Sequence, residues 1–382
     1  MSEPLFIGIE ACRKDFTVLV VADQTGVIKT ADHFPERLNF HEMSKHKLAA
    51  EIYDLVKRIL EPCGITVTQF IKEGGKICAG IRGVSTKYDR ELGMREVWKA
   101  AGLWGDGRFA TGDIEIIFSG ATRSLEGGAI ICQAGSVAMA RTDKTISRVG
   151  GWGPMLGDEG SGYWIGSKAL KALCQLRDGR LSVETVLARY VTEQLNTNRT
   201  WVDLLREHSS VSRRWTDALI LLAHETREDN EFHYIVSSLA EAVFKAWYEH
   251  PTDPVVSLIV DNAAKTLIEQ VGTAIETTGL SRKQMPLVLW GDFFRYKPSS
   301  GLSSPPFFDL VAEKARARWP QIQIVPPNNP RTMRPVIGAL LHAISGSLLA
   351  LPEQDVIERI EQNASEFNLF YTDAEMDIMT RT

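Results

Sequence analysis

The feature that most constrains the fold is an order of strands and helices that occurs twice. Apolar runs predict strands at Leu5 to Ile9 and Phe16 to Val21, a turn at Asp23-Gln24-Thr25-Gly26, and a third strand towards Phe34. Leu48, Ile52, Leu55, Val56, Ile59 and Leu60 recur at spacings of three and four, which predicts an amphipathic helix ending near Cys63-Gly64. A strand at Ile77 to Ile81, a helix across Glu91 to Ala101 and a short strand at Arg108 to Thr111 follow. The order restarts after Gly120. Strands are expected at Ala129 to Gln133 and Ser136 to Ala140, joined by a tight Ala134-Gly135 turn, and at Thr145 to Val149. Helices then run over Tyr163 to Leu176, Val183 to Leu195, Trp201 to His208, Trp215 to Thr226, Phe232 to Tyr248 and Pro254 to Thr278. Strands return at Leu287 to Trp290 and Ile322 to Val325, each followed by a helix, Phe307 to Arg318 and Pro335 to Leu349.

At 382 residues the chain exceeds what one core serves well, since single cores stop growing near ~250–300 residues. Two α/β lobes are expected, 1–118 and 119–360, with a final helix around Asp373 to Met379, inside 361–382, returning to the first lobe. Hydrophobic residues at 44% and charged residues at 24% are the usage of a folded, non-disordered protein. The net charge of −5 opposes a general nucleic-acid partner, which would need a basic face. No window approaches the ~20 apolar residues of a membrane span, and Met1 to Ile9 lacks the pattern of a signal peptide, so a cytoplasmic location and no membrane partner are expected. Cys12, Cys63, Cys78, Cys132 and Cys174 are odd in number and form no Cys-x-x-Cys pair, so reduced thiols are the default reading. His41 and His46 are five apart and do not share one helical face as an i, i+4 metal pair would.

The chemistry concentrates between Val149 and Gly166, where glycine stands at Gly150, Gly151, Gly153, Gly157, Gly160 and Gly162. A loop this poor in side chains lets backbone approach a ligand or adopt positive φ. Trp152 offers an apolar face, while Asp158 and Glu159 offer acceptors for hydroxyls just before a helix that starts near Ser161. That mixture suits a sugar; a glycine-rich structural hairpin is the bland reading. At Ala110-Thr111-Gly112-Asp113 a strand gives way to a helix. A carboxylate there can cap the helix, or it can accept the proton of an attacking hydroxyl.

The string from Gly150 to Gly166 closely resembles the family of N-acetylglucosamine kinases and the related activator ATPases of benzoyl-CoA reductase and hydroxyacyl-CoA dehydratases. The resemblance implies a two-lobed actin-like ATPase fold, ribonuclease H-like, built from duplicated βββαβα units with a helical insertion in the second lobe. It implies ATP and Mg²⁺ as cofactors, an amino sugar such as N-acetylglucosamine as the small-molecule partner, and a homodimer. By position it makes Asp113 the catalytic base. Gly151, Trp152, Asp158 and Glu159 become substrate residues, as do Asn39 of Leu38-Asn39-Phe40 and Arg82-Gly83 of Ile81-Arg82-Gly83-Val84. Arg82 replaces a small residue of the family loop and either reads an acidic substrate group or pairs with a neighbour.

On the nucleotide side the resemblance places Glu10, which would also hold the metal through water, Arg13, Lys14, Gly135, Ser136, Gly291, Asp292 and Gly338. These loops depart from the family. Glu10 is followed by Ala11-Cys12-Arg13-Lys14 instead of glycines and a threonine, so Arg13 and Lys14 either supply cationic contacts or are solvated turn residues. The second phosphate loop is Gln133-Ala134-Gly135-Ser136, and Asp292 follows Gly291 where an acid would repel phosphate. A kinase and a catalytically silent sugar-binding relative are therefore both open. An iron–sulfur activator is disfavoured, because a cluster needs cysteines in a glycine-rich context.

Overall fold

The computed structural model describes residues 3–12, 16–199, 201–203, 231–327 and 334–370. Its first half contains β1 (Leu5–Ala11), β2 (Thr17–Asp23), β3 (Ile28–Phe34), α1 (Lys45–Leu60), α2 (Val67–Lys72) and β4 (Lys76–Ile81). A π-helical turn at Asp89–Gly93 leads into α3 (Met94–Ala100), followed by β5 (Arg108–Thr111) and α4 (Asp113–Thr122). The second half contains β6 (Gly127–Cys132), β7 (Ser136–Arg141), β8 (Ile146–Gly150), α5 (Gly162–Arg177) and α6 (Leu187–Leu195). After these come α7 (Glu231–Glu249), α8 (Pro254–Thr277), β9 (Met285–Trp290), α9 (Pro306–Arg318), β10 (Ile322–Val325), α10 (Pro335–Ser345) and α11 (Gln354–Ala364).

The two sheets are topological copies. One runs β3-β2-β1-β4-β5 and the other β8-β7-β6-β9-β10. In each, the founding strand pairs antiparallel with the next strand of its hairpin and parallel with a later strand. Every residue of β1, β2, β6 and β7 is buried, as expected of strands covered on both faces. Helix α1 covers the first sheet with Leu48, Ile52, Leu55, Val56, Ile59 and Leu60, the same residues whose spacing predicted it. Ser44 caps it by accepting from the Lys47 amide. Asp253 caps α8 by accepting from the Val255 and Val256 amides, with Pro254 at the first helical position.

Helices α4 and α10 each follow the last strand of a sheet, and they cross between the sheets. Ile116 packs with the α10 residues Val336, Ile337 and Leu340 under the first sheet, while Ile114, Ile117 and Phe118 pack under the second. Gly338 lies at the crossing, where a Cβ would stand 2.0 Å from the Ile116 carbonyl oxygen. Only glycine permits so close an approach.

Three expectations change. The sequence reading returned only residues 361–382 to the first lobe, whereas α10 and α11 already pack on the first sheet through Val336, Leu340, Ile357 and Ile360. The reason is the duplication itself: the helix after β10 takes the place that the helix after β5 takes in its own half. Helix α11 was not foreseen, although Ile357, Ile360 and Ala364 carry a helical spacing. Helix α10 stops at Ser345 rather than Leu349, because Gly346 turns left-handed with φ 70°. The helix expected at Trp215 to Thr226, the one around Asp373 to Met379 and most of Trp201 to His208 lie outside the described residues. No described helix is long and apolar enough to cross a membrane.

Candidate active site

The turn between β6 and β7 is welded to the glycine-rich loop. The Gly162 amide donates to the Gln133 carbonyl at 2.8 Å, and the Tyr163 amide to the Ala134 carbonyl at 3.1 Å. The Ser136 hydroxyl donates to the Glu159 carbonyl at 2.8 Å. Asp158 lies under this turn. Its carboxylate accepts from the Ser136 and Gly153 amides, and a Cβ on Gly135 would stand 2.8 Å from its Oδ2. Asp158 is 6% exposed and holds a left-handed backbone at φ 57°. Burial pushes its carboxyl up to about 6, against the two amide hydrogen bonds, which act to lower it. Glu159 is half-buried and accepts from Gln270 Nε2 of α8 at 3.2 Å. Gly150 and Gly151 adopt φ of 76° and 70°, and Trp152 stands 67% exposed beyond them.

The opposing wall comes from the first lobe. Asp113 begins α4, and its Oδ1 accepts from the Ile114 amide at 2.9 Å. A Cβ on the preceding Gly112 would meet the Val84 carbonyl at 2.9 Å, so the loop after β4 abuts the start of α4. Asn39 bridges to Arg82, and its Oδ1 accepts from the His41 amide. Gly83, at φ 88°, lies against both Asn39 and His41. Arg82 Nη2 donates to the Cys12 carbonyl at 3.0 Å, so the guanidinium ties this loop to the first hairpin.

Arg148 joins the two walls. A Cβ on Gly112 would be 3.6 Å from its Nη1, and one on Gly151 would be 2.7 Å from its Nη2. Its charge also acts to lower the Asp158 carboxyl. Arg148, two residues before the glycine pair, is not among the residues expected at the site from the sequence. The available signal was strand register: with Val149 turned to the outer core and Ile146 to the core around α4, Arg148 shares the inner face with Ile146.

The residues assigned to the nucleotide side divide. Gly135 and Ser136 form the β6–β7 turn, and Gly291 lies directly against it, where a Cβ would be 2.2 Å from the Cys132 carbonyl oxygen. Asp292 is half-buried beside it. Burial raises the Cys132 thiol and pushes Glu241 of α7 up to about 7, and the Asp292 charge adds to both. Glu10, 2% exposed, accepts from the Val336 amide at 3.2 Å and so holds the start of α10. Gly338 is taken up by the contact of α10 with α4, and its small size is explained by that packing. Arg13 and Lys14 lie outside the described residues. Among the described residues no group of three or more His, Cys, Asp or Glu side chains could hold a metal ion.

A curated N-acetyl-D-glucosamine kinase of Dictyostelium discoideum is 27% identical over 350 residues, 90% of this chain and 99% of that one. An N-acetylmuramic acid/N-acetylglucosamine kinase of Clostridium acetobutylicum is 26% identical over 254 residues, covering 66% and 74% of the two chains. A solved structure from Chromobacterium violaceum, assigned as an N-acetylglucosamine kinase, superposes with a TM-score of 0.56 at 16% identity over 92% of this chain and all of that one. The fold they share is the two-lobed actin-like ATPase fold, and the duplicated sheets with crossed helices are its form here. The family model for the BadF/BadG/BcrA/BcrD ATPases matches residues 18–343, from the first hairpin to the crossing helix, and the chain belongs to that family.

Proposed function

We propose that this protein transfers the γ-phosphoryl group of ATP to a hydroxyl of an amino sugar such as N-acetylglucosamine. The observation that carries the reading is the convergence, around Arg148, of the start of α4 with the glycine-rich loop and the turn welded to it. Asp113 accepts the proton of the attacking hydroxyl. Asp158 and Glu159 accept from the sugar's other hydroxyls, Trp152 covers an apolar face of the ring, and Asn39 with Gly83 shapes the opposite wall. Gly135, Ser136 and Gly291 line the phosphate side. Mg²⁺, when bound, neutralises phosphate charge. Glu10 suits a water-mediated contact to it, since the carboxylate is buried and already oriented by the Val336 amide. A homodimer in the cytoplasm, with lobes of 1–118 plus 335–370 and of 119–327, completes the proposal. The supports are the family membership, the activities of the curated relatives and this geometry.

One observation favours a second reading, a sugar-binding relative without catalysis. The amide and hydroxyl of Ser136, which would face phosphate, are engaged by Asp158 and by the Glu159 carbonyl. Thermal denaturation with N-acetylglucosamine, with Mg-ATP and with both separates the readings, because a ligand of the folded state must raise the melting temperature. Stabilisation by both ligands, together with formation of sugar phosphate, supports the kinase. Stabilisation by sugar alone, with no phosphate transferred, supports the silent relative.

A further inference from the structure

Arg148 is a cation set between the two walls of the site. It stands on β8, an edge strand, in register with Met139 of β7, and it shares the inner face of the sheet with Ile146, which packs into the core around α4. Its guanidinium reaches Gly112 at the beginning of α4 on one side and Gly151 on the other. Glu115 Oε2 lies against the same Gly112, and the Arg148 charge acts on Asp158, so carboxylates flank the guanidinium without bonding to it. Among the described residues the half-buried guanidinium makes no hydrogen bond and no ion pair. Nearby arginines are treated differently: Arg90 is paired with Glu115 at 3.1 Å, and buried Arg141 donates to Ser119 and to the Leu348 carbonyl. The donors of Arg148 are therefore open to an anion that enters between the two walls. The anion's position is bounded on three sides, by Asp113 one residue after Gly112, by Val137 directly after Ser136, and by Gly151 of the glycine-rich loop.

We propose that Arg148 is a catalytic residue, the cation that binds the phosphoryl group while it passes from nucleotide to sugar. This rests on the kinase reading above. In the step, the bond from the γ-phosphorus to the bridging oxygen breaks and its electron pair leaves with ADP. A bond from the sugar oxygen to that phosphorus forms, and the hydroxyl proton goes to Asp113. Negative charge is spread over the three non-bridging oxygens during transfer, and the guanidinium fork balances it. The same contact draws the lobes together, because Arg148 belongs to the second sheet and Gly112 to the end of the first. Arg148 is therefore used only when the two walls face one another.

The test uses the full-length protein, Mg-ATP and N-acetylglucosamine, with Arg148→Met, Arg148→Lys and Arg148→Ala. Arg148→Met should lower kcat about 10²- to 10³-fold, the usual cost of removing one charge-stabilising donor, while calorimetric affinity for the sugar alone changes less than about twofold. Arg148→Lys should retain part of the turnover, and free guanidinium should restore part of it to Arg148→Ala. Unchanged kcat in Arg148→Met overturns the inference and leaves the kinase reading standing. So does a parallel loss of sugar affinity and turnover with no guanidinium rescue, the signature of an arginine that only shapes the loop. A wild-type protein that transfers phosphate to no amino sugar overturns the kinase reading, and this inference with it.

Discussion

The β1–β2 hairpin of the first sheet and the β6–β7 hairpin of the second hold equivalent places in the duplicated fold, yet they are anchored to different things. Glu10, near the end of β1, is spent on the Val336 amide at the start of the crossing helix α10, and the Cys12 carbonyl takes Arg82. The β6–β7 turn is bonded instead to the glycine-rich loop, through Gly162, Tyr163, Ser136 and Asp158. The first hairpin is thus coupled to the crossing helix and the second to the glycine-rich loop. Duplication supplied two copies of one scaffold, and Glu10 and Cys12 in the first and Ser136 in the second are engaged differently.

Five measurements sharpen or break this comparison. The largest effect belongs to the wall opposite the second hairpin: Asp113→Asn keeps size and some capping ability but removes proton acceptance. Turnover should fall roughly 10²- to 10⁴-fold, about 3–5 kcal/mol in barrier, with the melting temperature nearly unmoved. Retained turnover would place the chemistry wholly in the second lobe.

Next in size is Asp158. Asp158→Ala should weaken sugar binding by roughly 5- to 150-fold without nucleotide, the loss of an acceptor worth about 1–3 kcal/mol. Its titration gives an independent reading. The folded carboxyl stands at about 6 against an ordinary 3.8, so the fold prefers the protonated form. That preference contributes stability in full below the ordinary value and is lost as pH rises through about 6. Urea denaturation of Asp158→Asn should lack this fall in stability between pH 4 and 6. An identical pH profile in both proteins would detach Asp158 from the second hairpin.

Asp292, beside the same hairpin, should oppose nucleotide. Asp292→Gly removes a negative charge near the phosphate side, and relief of about 1.4 kcal/mol would tighten Mg-ATP binding tenfold by calorimetry. Equal affinity in wild type and variant would mean that this carboxylate does not face the phosphates. The smallest effect belongs to the first hairpin. Glu10→Gln removes an anion from the start of α10 and should cost about 0.3–1 kcal/mol of stability, read by denaturant midpoint, with sugar affinity unaltered. A change in sugar affinity would show that the hairpins are not divided as described.

Much of this was legible in the sequence because it is local. The period-two and 3.6-residue patterns marked the duplicated order of elements; β5 and β10 occur at the expected residues, and the α1 core is the expected one. The string from Gly150 to Gly166 disclosed the family and drew attention to Trp152, Asp158 and Glu159. What lies between lobes was not legible. Nothing local distinguishes Gly338 as a crossing glycine or Glu10 as the partner of an amide 326 positions away, and strand register gives Arg148 a face without saying that it reaches Gly112. Those assignments depend on which faces meet once both sheets have formed. The sequence by itself determined the elements, because hydrophobic period and turn chemistry act over a few residues. Only the tertiary structure decided that Glu10 would hold a helix, that Asp158 would lie under the second hairpin, and that Arg148 would stand between Gly112 and Gly151. Burial and long-range hydrogen bonding are properties of contacts between distant segments, and they come into being only when the lobes pack.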